Sequence, residues 1–251
     1  MKNIIKTNIQ LGDTDLSYFI REGGDRVVLF IHGLGCSKES FYEAFNGDIF
    51  PSSFTLIAPD LLGHGESSML LDSMCELTDH ANLIEEFVRN LQVKNLNIVA
   101  HSMGGAIAII LTKTLINIQS IFCLEGNLIS EDCNISKRVA SMEENKFVNG
   151  FFPMVPLQFR CRGLESDPEI NPVAYYRSAK SLVQWSKGGE LLKIYNNLKI
   201  KKAYIHGEKN ADLSVLTYLK KSELIEISGS GHFMMYENPL ETYTKIVARL
   251  Q

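Results

Sequence analysis

Cysteine is sparse in this 251-residue chain and carries no pattern. Cys36, Cys75, Cys123, Cys133 and Cys161 are odd in number, and no two stand at CxxC spacing. That spacing predicts neither a disulfide framework nor a zinc site, and it suggests reduced thiols in a reducing compartment. Basic blocks are missing too, and the net charge is -4. Neither nucleic acid nor an anionic membrane surface is therefore expected as a partner. The longest apolar runs, Val27–Ile31 and Ala106–Leu111, are far too short to cross a bilayer. Met1–Asp13 alternates polar and apolar residues and has no continuous apolar stretch, so no signal peptide is read and the cytoplasm is the expected location. There is no HExxH, no P-loop or dinucleotide glycine pattern, and the six histidines are scattered. No metal and no cofactor is expected.

What is present is an alternation. Asn3–Gln10 and Leu16–Arg21 read as the strands of a hairpin, with Gly12 and Asp13 between them. Arg26–Ile31, Phe54–Ala58, Leu96–Ala100, Ser120–Leu124, Lys202–His206 and Leu224–Ile227 are short apolar runs rich in β-formers, the pattern of strands buried on both faces of a parallel sheet. Between them the period turns helical. Ala81, Leu83, Ile84, Phe87, Val88 and Leu91 keep one face after Thr78, a candidate N-cap. Gly104–Leu115 is apolar nearly all round and predicts a buried helix. Leu213–Lys221 and Pro239–Leu250 complete the series. Strand alternating with helix predicts an α/β fold with a mainly parallel sheet. Residues 126–198 interrupt the alternation and carry Pro153, Pro156, Pro168 and Pro172 together with Trp185. They predict a helical insertion, because an unstructured loop of that length is improbable.

Three segments carry chemistry. In Ile98-Val99-Ala100-His101-Ser102-Met103-Gly104-Gly105 a strand enters a small-x-Ser-x-small turn and a helix follows at once. So tight a turn exposes a serine hydroxyl at the sheet edge, with the N–H groups that open the helix facing any anion formed there. His32-Gly33-Leu34-Gly35 ends the first buried strand. Beside Ser102, its Leu34 N–H is a candidate oxyanion donor together with the Met103 N–H. Ser228-Gly229-Ser230-Gly231-His232 follows the last strand, and a flexible loop there can bring His232 to a distant serine. His32, His64 and His101 sit in tight turns, where structural hydrogen bonds are expected.

His32-Gly33, Asp60-Leu61-Leu62-Gly63-His64-Gly65-Glu66-Ser67, His101–Gly105 and Gly231-His232 together resemble the α/β-hydrolase superfamily, in its order and over nearly the whole chain. The resemblance implies a mostly parallel eight-stranded sheet flanked by helices. The core would be residues 1–125 and 199–251, with a helical cap, residues 126–198, inserted after the sixth strand. It implies Ser102 as nucleophile, His232 as general base and a structural role for 60–67. Serine at 102 separates this chain from the haloalkane dehalogenases and epoxide hydrolases, which it resembles but which use aspartate there.

The acid departs from the family pattern. The Gly-x-x-Asp expected after the strand 202–206 reads Gly207-Glu208-Lys209-Asn210. Glu125, which ends the strand 120–124 as the acid does in pancreatic-type lipases, is the preferred acid. Asp212 is the alternative, with an N-cap as its plainer role. The reaction expected is acyl-enzyme hydrolysis of a small or medium, largely apolar ester or thioester, a small-molecule substrate. Carbon–carbon bond hydrolysis by the same triad and a non-catalytic binding homologue are the alternatives. Phe147, Phe151, Phe152, Met154, Val155, Phe159, Tyr175, Tyr176 and Trp185 are candidates for the pocket wall or for the cap's own core. Arg160 and Arg162 are candidates to bind a substrate carboxylate. Oligomeric state is not legible.

Overall fold

A computed structural model describes residues 4–68, 75–154 and 169–250. Eight strands form one sheet: β1 (Ile5–Leu11), β2 (Thr14–Arg21), β3 (Arg26–Ile31), β4 (Phe54–Pro59), β5 (Asn95–His101), β6 (Ile118–Leu124), β7 (Lys201–Gly207) and β8 (Glu223–Ile227). Their order is β1-β2-β4-β3-β5-β6-β7-β8. β1 and β2 pair antiparallel, as does β2 with β4, and every pair from β4 onward is parallel. The described helices are α1 (Tyr42–Asn46), α2 (Leu77–Asn90), α3 (Met103–Leu111), α4 (Asn134–Ala140), α5 (Glu144–Lys146), α6 (Pro172–Lys187), α7 (Glu190–Asn197), α8 (Met234–Glu237) and α9 (Pro239–Leu250).

The strand runs expected from sequence occur with shifts of one or two residues. Their alternation splits the core into two layers. Leu29, Ile31, Ile98 and Ala100 face the layer that includes residues of α2 and α3, whereas Val28, Phe30, Val99 and Leu56 face the layer that includes residues of α1 and α9. All nine residues of α3 are buried, so cutting one of its isoleucines to alanine would cost about 2–5 kcal/mol. α2 begins two residues earlier than Thr78 suggests: its N-cap is Glu76, whose N–H donates to Asp79 Oδ2 at 2.9 Å.

The helix expected at Leu213–Lys221 is only a 3₁₀ turn, Ser214–Thr217. Asn196 takes over the backbone beyond it, donating to Tyr218 O at 3.0 Å and accepting from Lys220 N–H at 2.8 Å. Those tertiary bonds compete with the i→i−4 ladder a helix would need.

Between β6 and β7 the packing is of two kinds. Val139, Phe147, Tyr175, Tyr176 and Ala179 form a small cluster of their own, with Phe151 and Phe152 against it. Leu191 and Tyr195 of α7 instead belong to the main core. Trp185 packs on that core as well, with Lys113 Nζ 4.6 Å from its ring centre. No described helix is long and apolar enough to cross a membrane.

Candidate active site

Parallel register brings the C-terminal ends of four neighbouring strands to one edge. His101 is level with Leu124, Leu124 with Ile205, and Gly207 with Ile227. The residues just past those ends meet around a cavity of about 590 Å³.

Ser102 stands between β5 and α3 at φ 54°, ψ −120°, a region that a residue with a side chain seldom occupies and that structures retain at functional turns. The turn holds because Gly104 passes close to the neighbouring strand end: a Cβ there would lie 2.3 Å from Ile31 O. Ser102 N–H donates to Leu124 O at 3.0 Å, and Oγ donates to Asn127 Oδ1 at 3.1 Å.

Glu125 repeats the strained geometry one strand over, at φ 41°. Its N–H donates to Ile205 O at 2.9 Å, and its side chain is buried. The carboxylate accepts from Gly207 N–H at 2.9 Å and from Asn210 Nδ2, which lies 2.9 Å from each oxygen. His232 Nδ1 is 2.7 Å from Oε2. Burial pushes this carboxyl up. The hydrogen bond and charge of His232, with the donors from Gly207 and Asn210, outweigh burial and hold it below its ordinary value. An ionised partner fixes the tautomer: Nδ1 carries the proton and Nε2 is the acceptor.

His101, buried behind this pair, donates through Nε2 to His232 O at 2.9 Å, and the two rings are 4.6 Å apart. Burial first, then the charge of His232, holds His101 well below the ordinary imidazole value, so it is a neutral prop for the His232 backbone. His32 is also neutral and buried. It accepts Leu61 N–H through Nε2 at 3.0 Å, with Nδ1 2.9 Å from Gly33 O, and so ties the loop after β3 to the loop after β4. Asp60 anchors that second loop, binding buried Lys38 Nζ at 2.5 Å and Glu66 N–H at 2.9 Å.

Ser102, Glu125 and His232 all line the cavity, as does Leu34. Met103, the first residue of α3, is buried beside Ser102, and the first N–H groups of a helix have no intrahelical acceptor. Asp212 is exposed and does not line the cavity. His232 has Glu125 as its carboxylate partner, and Leu213 rather than Asp212 precedes the 3₁₀ turn. The chain direction after Gly207 brings Asn210, not Asp212, to the site.

The two roles left open for the aromatic residues of the insertion, pocket wall and own core, divide among the described residues. Among the described candidates Tyr175 lines the cavity while also packing in the insertion's own cluster, Phe147, Phe151, Phe152 and Tyr176 pack in that cluster, and Trp185 packs on the main core. Met154 is exposed. Val155, Phe159, Arg160 and Arg162 lie outside the described residues. Leu182, Leu213 and Phe233 supply apolar surface, and Glu131, Asp132, Asn134 and Arg138 supply a polar side. Asp132 is pushed up to about 6, chiefly by burial. Cys75, Cys123 and Cys133 are buried and form no disulfide. Cys36, on the cavity wall, is disulfide-bonded, against the expectation of reduced thiols throughout. Asn127, Asn210 and the prop His101 were not singled out by sequence as parts of the site; a polar residue just past each strand end was the available signal.

Comparison with known proteins agrees with this architecture. The sequence pattern of the family described as alpha/beta hydrolase fold matches residues 26–151. A "Probable lysophospholipase BODYGUARD 4" of Arabidopsis thaliana is 38% identical over 106 residues, 42% of this chain and 25% of that protein. The chain spans about a quarter of the length of the first curated relatives it matches. Among solved structures, a variant of the N-acyl homoserine lactonase AidH complexed with N-hexanoyl homoserine superposes with TM-score 0.78 at 17% identity, covering 99% of this chain and 96% of that one. A thermophilic esterase from Thermogutta terrifontis superposes with TM-score 0.76 at 15% identity, covering 99% and 98%. At such identities the likeness is one of fold. Half of the chain falls within the family pattern, and this protein belongs to the alpha/beta hydrolase family.

Proposed function

We propose that the chain is a serine hydrolase that forms an acyl-enzyme on Ser102 and acts on a small or medium ester or thioester. The observation that carries this reading is the 2.7 Å contact between Glu125 Oε2 and His232 Nδ1, in the cavity that Ser102 also lines. In the reaction, the Ser102 hydroxyl turns from Asn127 to His232 Nε2. Its proton passes to Nε2 as Oγ bonds to the carbonyl carbon, and the carbonyl oxygen takes the negative charge. The Leu34 and Met103 N–H groups are assigned to that oxyanion. His232 gives its proton to the leaving alkoxide or thiolate, and water then releases the acid by the same steps in reverse. Glu125 stays ionised, holds the imidazole tautomer and offsets the imidazolium charge.

The inserted segment between β6 and β7 is read as a cap over the acyl site. Its separate aromatic cluster supports a distinct unit within residues 126–198, joined to the main core through Leu128, Ala174, Leu182 and Leu191. The lactone and ester chemistry named for the two structural neighbours is compatible with this substrate class. Labelling with a fluorophosphonate, followed by mass spectrometry of the modified peptide, tests the reading. Modification at Ser102 that is lost in Ser102→Ala is expected, and an unlabelled native protein would refute it.

A further inference from the structure

We infer that Asn127 is a specificity-determining residue. It favours acyl substrates that carry a hydrogen-bond donor, an O–H or N–H, on the carbon next to the scissile carbonyl. The inference rests on the serine-hydrolase reading above and narrows its substrate class.

The orientation of the Asn127 amide is decided by its neighbours. Nδ2 donates to Asp132 O at 2.6 Å. A flipped amide would set two oxygens against each other there, so Oδ1 is the end that faces Ser102. The residue is held from three further directions. Its N–H donates to Ser102 O at 3.3 Å, its own carbonyl accepts from Ser186 Oγ of α6 at 3.4 Å, and its side chain is buried at the cavity wall. It therefore presents a fixed, acceptor-only oxygen beside the nucleophile.

In the resting arrangement that oxygen is satisfied by the Ser102 hydroxyl. Attack on a carbonyl requires the same hydroxyl to turn to His232 Nε2. The turn leaves Asn127 Oδ1 on the cavity wall without its protein donor, and once a bound acyl group shields it from water, stranding that acceptor is costly. A substrate with a donor α to the carbonyl replaces the lost hydrogen bond at the moment the serine leaves it. A substrate with a methyl group in that place does not. A site built this way discriminates against the analogue that lacks the donor.

The test uses the native chain and a near-isosteric pair, the 4-nitrophenyl esters of 2-hydroxypropanoic and 2-methylpropanoic acid. Each kcat/KM is divided by the hydroxide-catalysed rate of the same ester, which removes the inductive effect of the hydroxyl. The normalised ratio is expected to favour the hydroxy ester by about 10- to 100-fold, and to fall to within about two-fold of unity in Asn127→Leu. Fluorophosphonate labelling of Ser102 and the thermal unfolding midpoint establish that the variant is folded. A native protein that labels at Ser102 and shows a ratio near one overturns the inference and leaves the serine reading intact, and a ratio that survives Asn127→Leu does the same. A native protein that neither labels nor turns over either ester removes both.

Discussion

Replacing Glu125 by glutamine isolates the part of the site on which the proposed chemistry depends most. The side chain keeps its shape, but the hydrogen bonds around it do not survive. The carboxylate accepts from three donors: His232 Nδ1 at 2.7 Å, Gly207 N–H at 2.9 Å, and Asn210 Nδ2, which lies 2.9 Å from each oxygen. In Glu125→Gln the oxygen goes to the Gly207 side, where only an acceptor fits. The new amide nitrogen then faces both Asn210 Nδ2 and His232 Nδ1. Donor meets donor at Asn210. At His232 the ring must present a lone pair from Nδ1, so its proton moves to Nε2, the nitrogen that has to accept from Ser102. The wrong tautomer costs roughly 10⁴-fold in turnover, which is about 5 kcal/mol of barrier. The check is steady-state hydrolysis of an activated aryl ester near neutral pH, with the unfolding midpoint measured in parallel. Asn210 sharpens the test. It occupies the strand end from which relatives supply the acid, and Asn210→Asp in the Glu125→Gln background puts a carboxylate within one hydrogen bond of the original position. That double variant should recover on the order of tenfold or more, because the amide nitrogen introduced at position 125 gains an acceptor in place of the Asn210 donor and a negative charge again lies near the imidazolium formed at His232. Glu125→Gln turning over within about tenfold of native would refute the assignment of the acid, and loss of activity in Asp212→Asn would relocate it.

Ser102→Ala should abolish hydrolysis, by roughly 10⁴-fold or more if the three residues act as a unit, with the unfolding midpoint unchanged; native-like turnover by the purified variant contradicts the mechanism. Asp212→Asn, at an exposed position, should keep kcat/KM within a few-fold of native. Tyr175→Ala opens the cavity wall and should move chain-length preference across an acetyl-to-decanoyl aryl ester series, whereas Phe152→Ala, in the insertion's own cluster, should not; equal responses would show that the wall is elsewhere. Stability should fall on acidification. His64 and His80 are buried and held down to about 4 and about 3, chiefly by burial, so below about pH 6.5 the unfolded chain binds protons that the folded chain refuses. His64 alone accounts for about 3 kcal/mol by pH 4. Asp132, held up to about 6, works in the opposite sense between about pH 6 and 4 and offsets roughly one histidine. A urea midpoint that is flat between pH 7 and 4.5 would overturn this accounting.

The parts of this molecule that could be read from its sequence are those decided within a dozen residues. Strands β3 to β7 are short apolar runs because both faces of a parallel sheet are covered, and that composition is local, whereas the edge strand β8 buries only Ile225 and Ile227. The turn at Ser102 is local as well: Gly104 is needed because the chain there passes over Ile31, and the serine's strained backbone follows from a strand that must enter a helix without a loop. Glu125 is the intermediate case. A carboxylate ending an apolar strand ahead of a glycine is visible, but its partner lies 107 residues away and is chosen by strand order. β6 lies between β5 and β7, so a group at its end is one strand from Ser102 and one from Asn210. What the sequence hid depends wholly on which loops face each other across that edge. Asn210 looked like a defect in a pattern. In the fold its amide binds both oxygens of the carboxylate that replaces it, so the neutral residue and the displaced acid form one arrangement. A carboxylate at both positions would set like charges about 3 Å apart, where both cannot stay ionised. The asparagine at 210 therefore adds a donor, and no second charge, to the His232 and Gly207 hydrogen bonds that hold the buried Glu125 ionised, so the departure from the family pattern is physically linked to the proposed acid.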